Sequence, residues 1–166
     1  MVTTAQILAD RALQTSCGEQ CVDWAIGLLE TGRETSATCR LAAKLKPHNH
    51  FELASLRDQI LVELGVYHTS DDNASIMYSA ELLGRANDGT VELDTAIAEV
   101  KDMYVANDLD PSEIYDFYLL HFARADLKEQ EFQYYWPDAN RSNIEQITRD
   151  CVHKFVAEHR NRGITI

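Results

Sequence analysis

The stretch that decides the fold lies near the middle of the chain, at residues 109–122, and reads LDPSEIYDFYLLHF. Asp110 belongs to the residue types that cap helix N-termini, and Pro111 in the first helical position loses no hydrogen bond by lacking an N–H. Glu113 completes the spacing of a capping box. The pattern therefore predicts a helix that starts at Pro111.

The body of this helix, from Ile114 to Phe122, carries apolar residues on all of its sides. A surface helix keeps one polar face, so a helix that is apolar all round is expected between neighbouring helices. We predict that residues 111–122 form the central helix of a bundle.

The remainder of the chain repeats apolar residues at spacings of three and four, the period of an α-helix. Asn49 followed by Glu52 resembles a capping box, and Gly32 and Gly65 suit the left-handed conformation that ends helices. Residues 132–136 lack this period and are predicted to form a loop or a short strand. The chain is therefore predicted to be all-α, an irregular bundle of about seven or eight helices.

The length of 166 residues and the apolar content of 45% predict one domain, residues 1–166, with a sizeable core. A pattern of Ala and Leu followed by Gly begins near Ala25 and again near Ala80, so two lobes, residues 1–67 and 68–166, are an alternative. These lobes would form a HEAT-like arrangement, although stacked repeats usually need about three or more units.

Nearly all of the negative charge lies in the middle of the chain. Residues 62–138 contain 17 Asp or Glu against four Lys or Arg, a local net charge of −13, whereas the other 89 residues sum to +1. A continuous negative potential repels nucleic acid and anionic membranes and attracts cationic surfaces. The charge pattern therefore predicts a basic protein partner and excludes nucleic acid and membrane as partners.

Two groups of side chains in this acidic region are the predicted partner-binding residues. On the helix expected over residues 91–107, four carboxylates lie on or beside the solvent-facing side as an acidic strip, and a tyrosine- and tryptophan-containing loop follows the central helix. Aromatic rings beside carboxylates grip Lys and Arg through cation–π contacts and ion pairs. The predicted set is Glu92, Asp94, Glu99, Asp102, Tyr134, Tyr135 and Trp136.

Other aromatic and basic residues have different expected roles. Tyr118 and Phe122 are expected in the core with the rest of the central helix. A basic stripe of Arg149, His153 and Arg160 on the last helix is a candidate to pair with the acidic strip within the molecule, which would reduce the free negative surface.

No motif specifies a catalytic or metal site. The chain contains no phosphate-binding Gly-rich loop, no H-E-x-x-H and no G-x-S-x-G. His48 and His50 have no fourth ligand at a diagnostic zinc spacing, and Cys17 and Cys21 fit as small core residues. We therefore expect no metal and no cofactor.

An enzyme or small-ligand-binding protein is the alternative to a binding module. Its pocket would lie beside the central helix 111–122 and use Tyr118, His121 and Glu81 or Asp116 as converging polar groups.

The cysteines and the N-terminus predict a cytoplasmic protein. A chain of this length does not need a disulfide framework, so its four cysteines are expected as free thiols in a reducing compartment. The opening residues lack the basic and apolar regions of a signal peptide, and no apolar run reaches the ~18 residues of a membrane span.

A resemblance adds to these inferences. The segments Trp24–Gly32, Leu41–Leu45, Asn49–Glu52 and Leu61–Gly65 are similar, in apolar spacing and glycine stops, to a group of uncharacterised bacterial helical proteins. Some of that group resemble small acidic immunity proteins of toxin–antitoxin and contact-dependent inhibition systems. The resemblance implies an all-α protein without an active site that binds one partner tightly, and an acidic centre would suit a cationic nuclease toxin.

Overall fold

The computed structural model describes residues 1–159, which contain eight α-helices, one short 3-10 helix and no strand. The α-helices are α1 (Thr4–Ala12), α2 (Glu19–Glu30), α3 (Ser36–Ala42), α4 (His50–Glu63), α5 (Asp71–Asn87), α6 (Leu93–Ala106), α7 (Tyr115–Glu129) and α8 (Ile144–His159). The all-α prediction is confirmed. Residues 132–136 form a loop, so the first of the two predicted alternatives is confirmed and the short strand is not formed.

The described residues fall into two compact units, residues 1–74 and 75–159. Each unit has its own apolar core, and the boundary falls within α5: Ala74 packs in the first core and Ile76 in the second. The sequence placed its alternative boundary between residues 67 and 68, near a turn. The division instead follows which of the two cores each residue packs in, and the position of a turn in the sequence does not show this.

In the first unit, α1 to α4 surround a core in which Trp24 is 1% exposed. Its indole Nε1–H donates to Thr4 Oγ1 at 3.1 Å, so the ring is buried without leaving its polar group unpaired. Gly32 and Gly65 end α2 and α4 with φ of 77° and 74°, the left-handed region that the sequence predicted for them. Asn49 caps α4, because its Oδ1 accepts from the amides of Phe51 and Glu52 at 3.1 and 3.3 Å.

Two of the four cysteines depart from the prediction of free thiols. Cys17 and Cys21 are joined by a disulfide, with their Cα atoms 5.9 Å apart. The sequence argument required a helix that starts before Cys17, but α2 starts at Glu19, and the two sulfurs are bonded although Cys17 lies outside the helix. Cys39 and Cys151 are free.

The start of the central helix is also corrected. Pro111 is extended, with φ −77° and ψ 154°, and it precedes a 3-10 turn at Ser112–Ile114, so α7 begins only at Tyr115. Neither this turn nor α7 has a side-chain cap, so the predicted capping by Asp110 is absent. The central helix therefore spans residues 115–129 rather than 111–122.

In the second unit, α7 lies against α6 and α8. It buries Phe117, Leu120, Ala123 and Leu127 on one face. The opposite face is exposed or half-buried, so the prediction that all sides are covered is wrong. Within residues 1–159 no helix combines the length and the apolar character needed to cross a membrane.

Candidate partner-binding surface

Helix α6 places its acidic residues at the surface, as its apolar spacing predicted. Glu92 immediately precedes the helix, Asp94, Glu99 and Asp102 lie on it, and all four are exposed. At about 100° per residue, Asp94 and Glu99 are roughly 140° apart around the axis, on opposite flanks. The four carboxylates therefore do not form one continuous strip.

Asp94 is held by two cations from α7. One of its oxygens accepts from Arg124 at 2.6 Å and the other from Lys128 at 2.5 Å. Partial burial raises the pKa of Asp94, but the hydrogen bonds from Lys128 and Arg124 outweigh it and hold the pKa below the ordinary value. Asp94 thus stays ionised with much of its charge compensated inside the molecule.

Arg124 extends this pair to α8. Its side chain is only 12% exposed and also contacts Glu145 at 2.8 Å and Thr148 Oγ1 at 3.2 Å. The hydrogen bond from Arg124 lowers the pKa of Glu145. Burial opposes the charge on Arg124, yet its bonds to Glu145 and Asp94 raise the pKa of the guanidinium. One cation therefore joins α6, α7 and α8.

The predicted pairing of the acidic strip with the basic stripe does not occur through Arg149, which pairs with Glu145 on its own helix at 2.7 Å. Arg160 lies outside the described residues. Compensation within the molecule is instead supplied by Arg124 and Lys128 of α7.

The remaining α6 carboxylates differ in how firmly they are held. Glu99 accepts a hydrogen bond from the hydroxyl of Tyr78 at 2.6 Å, and Asp102 pairs with its neighbour Lys101. Glu92 makes no cap hydrogen bond. Glu92 and Asp102 are therefore the carboxylates of the predicted set that are least tied to other helices.

A run of touching aromatic rings follows the solvent side of α7. Tyr104 of α6 contacts Tyr115 and Tyr118, with ring centroids 5.7 and 5.5 Å apart. Tyr118 then contacts Phe122 edge-on at 5.1 Å, and Phe122 stacks on Tyr135 at 5.3 Å. We call the four α7 and loop members of this run, Tyr115, Tyr118, Phe122 and Tyr135, the aromatic ridge.

The ridge is exposed at its two ends and half-buried between them. Tyr115 is 41% and Tyr135 38% exposed, while Tyr118 and Phe122 are half-buried. Phe117 is 1% exposed and Tyr118 packs against the core of the second unit, so both agree with the core prediction, whereas Phe122 is half-buried and is not part of that core. The spacing of Tyr118 and Phe122 from Tyr115, three and seven residues, was the signal for a separate helical face.

The loop after α7 adds further exposed rings. Tyr134 is 87% and Phe132 57% exposed, and the two rings contact each other at 5.6 Å. Trp136 is instead half-buried and packs against the core of the second unit. Of the three predicted loop aromatics, Tyr134 and Tyr135 face solvent, and Trp136 anchors the loop.

Carboxylates flank both ends of the ridge. At one end, Asp110 precedes Tyr115 by five residues, and burial first, then Tyr115, Asp110 and Tyr118, raise the pKa of the Tyr104 hydroxyl. At the other end, Asp126 and Glu129 follow Phe122 by four and seven residues, on the same side of α7. The apolar surface therefore lies between two negative ends.

A small cavity beside α7 bears on the ligand-binding alternative. It has a volume of about 190 Å³ and is lined by Asp94, Ile97, His121, Arg124, Ala125, Lys128 and Glu129. Ligand pockets are typically about 300–1,000 Å³, so this space is small for one. Burial, with Lys101 next, lowers the pKa of His121. Of the four groups predicted to converge there, only His121 lines it.

His50 and the Cys17–Cys21 pair are bonded to each other within the first unit. His50 donates Nδ1–H to the carbonyl oxygen of Cys17 at 2.6 Å, which ties the start of α4 to the disulfide. Among residues 1–159, no three His, Cys, Asp or Glu side chains converge in a way that could hold a metal ion.

Comparison of the chain with protein-family models, with curated proteins and with solved structures found no match.

Proposed function

We propose that this protein is a non-enzymatic binding module for a cationic protein, and more specifically an immunity protein that neutralises a basic, nuclease-type toxin. The observation that carries the proposal is the aromatic ridge, a series of touching rings that is exposed at Tyr115 and Tyr135, with carboxylates near both ends. Large exposed aromatic patches on soluble domains usually mark interaction sites, and Tyr is among the residues most enriched at interface hot spots.

The charge of the second unit supports a cationic partner. Residues 75–159 contain 17 acidic and seven basic side chains, a net charge of −10. Such a field accelerates the approach of a basic protein, while the ridge supplies the short-range burial that slows its release. An Arg or Lys of the partner can lie over a tyrosine face and reach a flanking carboxylate such as Asp110 or Glu129.

The partner-binding residues that we propose from the structure are not all the same as those predicted from the sequence. Tyr134 and Tyr135 remain as contacts, and Tyr115, Tyr118 and Phe122 join them. Glu92 and Asp102 act through long-range attraction, because their side chains are exposed. Asp94 and Glu99 are engaged by other helices, and Trp136 supports the loop.

A defined probe tests the binding surface. A ten-residue peptide of alternating Arg and Gly is titrated into isotopically labelled protein, with an alternating Lys–Gly peptide and an alternating Glu–Gly peptide as charge controls. We expect the cationic peptides to shift the ring signals of Tyr115, Tyr118, Phe122 and Tyr135. Shifts spread evenly over every acidic surface, or absent from the ridge, would contradict the proposed site.

Two variants separate attraction from contact. Reversal of Glu92 and Asp102 to Lys should slow association and flatten its salt dependence, because both charges are exposed and attract a cation over a distance that salt shortens. Tyr134→Ala should mainly speed dissociation from a folded cationic partner, by the equivalent of about 2 kcal/mol. If neither variant changed the rates of association and dissociation, the interface would lie elsewhere, and the basic region of residues 33–57 would be the next candidate.

The immunity role has its own test. The product of the open reading frame adjacent to this gene is expressed with and without this protein in a bacterial host. We expect the neighbour alone to stop growth, and co-expression to restore it through a direct complex that needs Tyr134. A neighbour that is harmless, or toxic regardless of this protein, would refute the immunity role while leaving the peptide-binding result to stand on its own.

A further inference from the structure

We propose that Gln133 is the positioning residue of the partner-binding surface, because its side chain fixes the loop that presents Phe132, Tyr134 and Tyr135 to solvent. This inference rests on the proposed function, since it concerns how the same surface is kept ready for its partner.

Gln133 closes the loop on itself with four hydrogen bonds. Its Oε1 accepts from the backbone amides of Tyr135 at 2.7 Å and Trp136 at 2.8 Å. Its Nε2 donates to the backbone carbonyls of Trp136 at 2.5 Å and Ala139 at 3.1 Å. A glutamine side chain offers two donor hydrogens and an acceptor oxygen with two lone pairs, so its full capacity is used.

We call these four bonds the clamp. They hold the amide of Tyr135 and enclose Tyr134 between Gln133 and Trp136, and the Phe132 ring contacts the ring of Tyr134. Trp136 is held twice by the clamp and packs against the core. The side chain of Trp136 therefore attaches the loop to the core, while the side chain of Tyr134 faces solvent.

A second set of bonds fixes the far side of the loop. Asn143 accepts from the amide of Asn140 at 2.7 Å and donates to the carbonyl of Asp138 at 3.0 Å. Arg141 donates Nε–H to the carbonyl of Leu127 near the end of α7, at 2.8 Å. The loop therefore has little freedom at either end, and Gln133 decides the conformation of its apex.

A rigid loop matters for binding because ordering flexible side chains and backbone on association opposes affinity. Polar residues that clamp a loop without facing the partner are expected where exposed rings must be held in one geometry. A loop that only connected α7 to α8 would not need a fully satisfied glutamine behind exposed tyrosines.

The variant Gln133→Glu separates positioning from simple charge. The carboxylate cannot donate to the carbonyls of Trp136 and Ala139 and repels both oxygens, so the side chain should leave the clamp and its bonds to the amides of Tyr135 and Trp136 should be lost as well. It also adds a negative charge to a surface that attracts cations. Gln130→Glu is the matched control, because it adds the same charge three residues away at an exposed side chain outside the clamp.

Amide hydrogen exchange in the free protein tests the clamp without any ligand. We expect the amides of Tyr135 and Trp136 to exchange about fivefold faster or more in Gln133→Glu and at the wild-type rate in Gln130→Glu. The neutral variant Gln133→Met should behave like Gln133→Glu, which shows that loss of the hydrogen bonds is the cause. Unchanged exchange in both Gln133 variants would overturn the proposal.

The Arg–Gly peptide tests the consequence for binding. Gln130→Glu should bind it slightly more tightly than wild type, whereas Gln133→Glu should bind it about three- to tenfold more weakly despite its extra negative charge. If Gln133→Glu instead bound as tightly as Gln130→Glu, with the loop loosened, Gln133 would not position the binding surface. A wild-type protein that does not bind the peptide at the ridge, with the exchange result intact, would reject the proposed function and leave the clamp as a purely structural device.

Discussion

Replacement of Arg124 by Met should destabilise the second unit far more than replacement of Arg149 by Met, although both cations bind Glu145. The Arg124 side chain is 12% exposed and contacts two carboxylates at 2.6 and 2.8 Å, whereas Arg149 is 52% exposed. Loss of a charged hydrogen-bonding partner costs about 1.5–3 kcal/mol when the groups are buried. Asp94 and Glu145 are about half exposed and keep Lys128 and Arg149, so water and these cations offset part of the loss.

We therefore expect Arg124→Met to lower the free energy of unfolding by about 2 kcal/mol, and Arg149→Met by about 0.3–0.5 kcal/mol, as for exposed pairs one helical turn apart. Urea denaturation followed by circular dichroism measures both, with equal slopes required for a valid comparison. Equal costs for the two variants would show that Arg124 does not join the three helices in the way described.

The acid limb of the stability profile gives an independent check on the same cluster. Asp94 and Glu145 have pKa values lowered in the folded state from ordinary values of 3.8 and 4.5. Their contribution to stability is therefore fully present above about pH 5 and is lost as the pH falls through the lowered folded pKa values. Arg124→Met should flatten this loss, and an unchanged acid limb would contradict the assigned cause of the shifts.

Three further outcomes follow from the structure. Trp136→Ala should lower the free energy of unfolding by about 2 kcal/mol because the indole packs on the core, while Tyr134→Ala should change it by less than about 0.5 kcal/mol; denaturation curves measure both. His121 should titrate below its ordinary pKa of 6.5 in an NMR pH series, because burial disfavours its cationic form; a value above 6.5 would contradict that environment. Denatured protein kept free of reductant should show two thiols rather than four, since Cys17 and Cys21 are bonded; four reactive thiols would restore the sequence-based expectation.

The sequence by itself determined the class of the fold and three helix ends, the start of α4 and the ends of α2 and α4. Apolar spacing of three and four predicted the helices because burial of one face is a local, periodic requirement. Asn49 and the glycines at 32 and 65 act through bonds and backbone angles within a few residues, so their roles could be predicted without knowledge of any distant contact.

Predictions from local sequence patterns were wrong where contacts with distant residues, or another possible local geometry, determined the structure. Asp110 and Pro111 have the residue types of a helix start, but an extended Pro111 and the following 3-10 turn delay α7 to Tyr115. Several backbone geometries suit that short motif, and packing of Ile114 into the core accompanies the one that forms. The Cys17–Cys21 bond likewise depends on the approach to α2, which spacing alone does not fix.

Only the tertiary structure decided the nature of the candidate surface. The sequence indicated acidic residues and aromatic residues in one region, and α6 exposes its carboxylates as expected. It could not show that Arg124 and Lys128 compensate Asp94, because those pairs join residues 30 or more positions apart. Nor could it distinguish Tyr134 in solvent from Trp136 on the core, since adjacent loop residues follow no period and their exposure depends on what the folded chain places behind them.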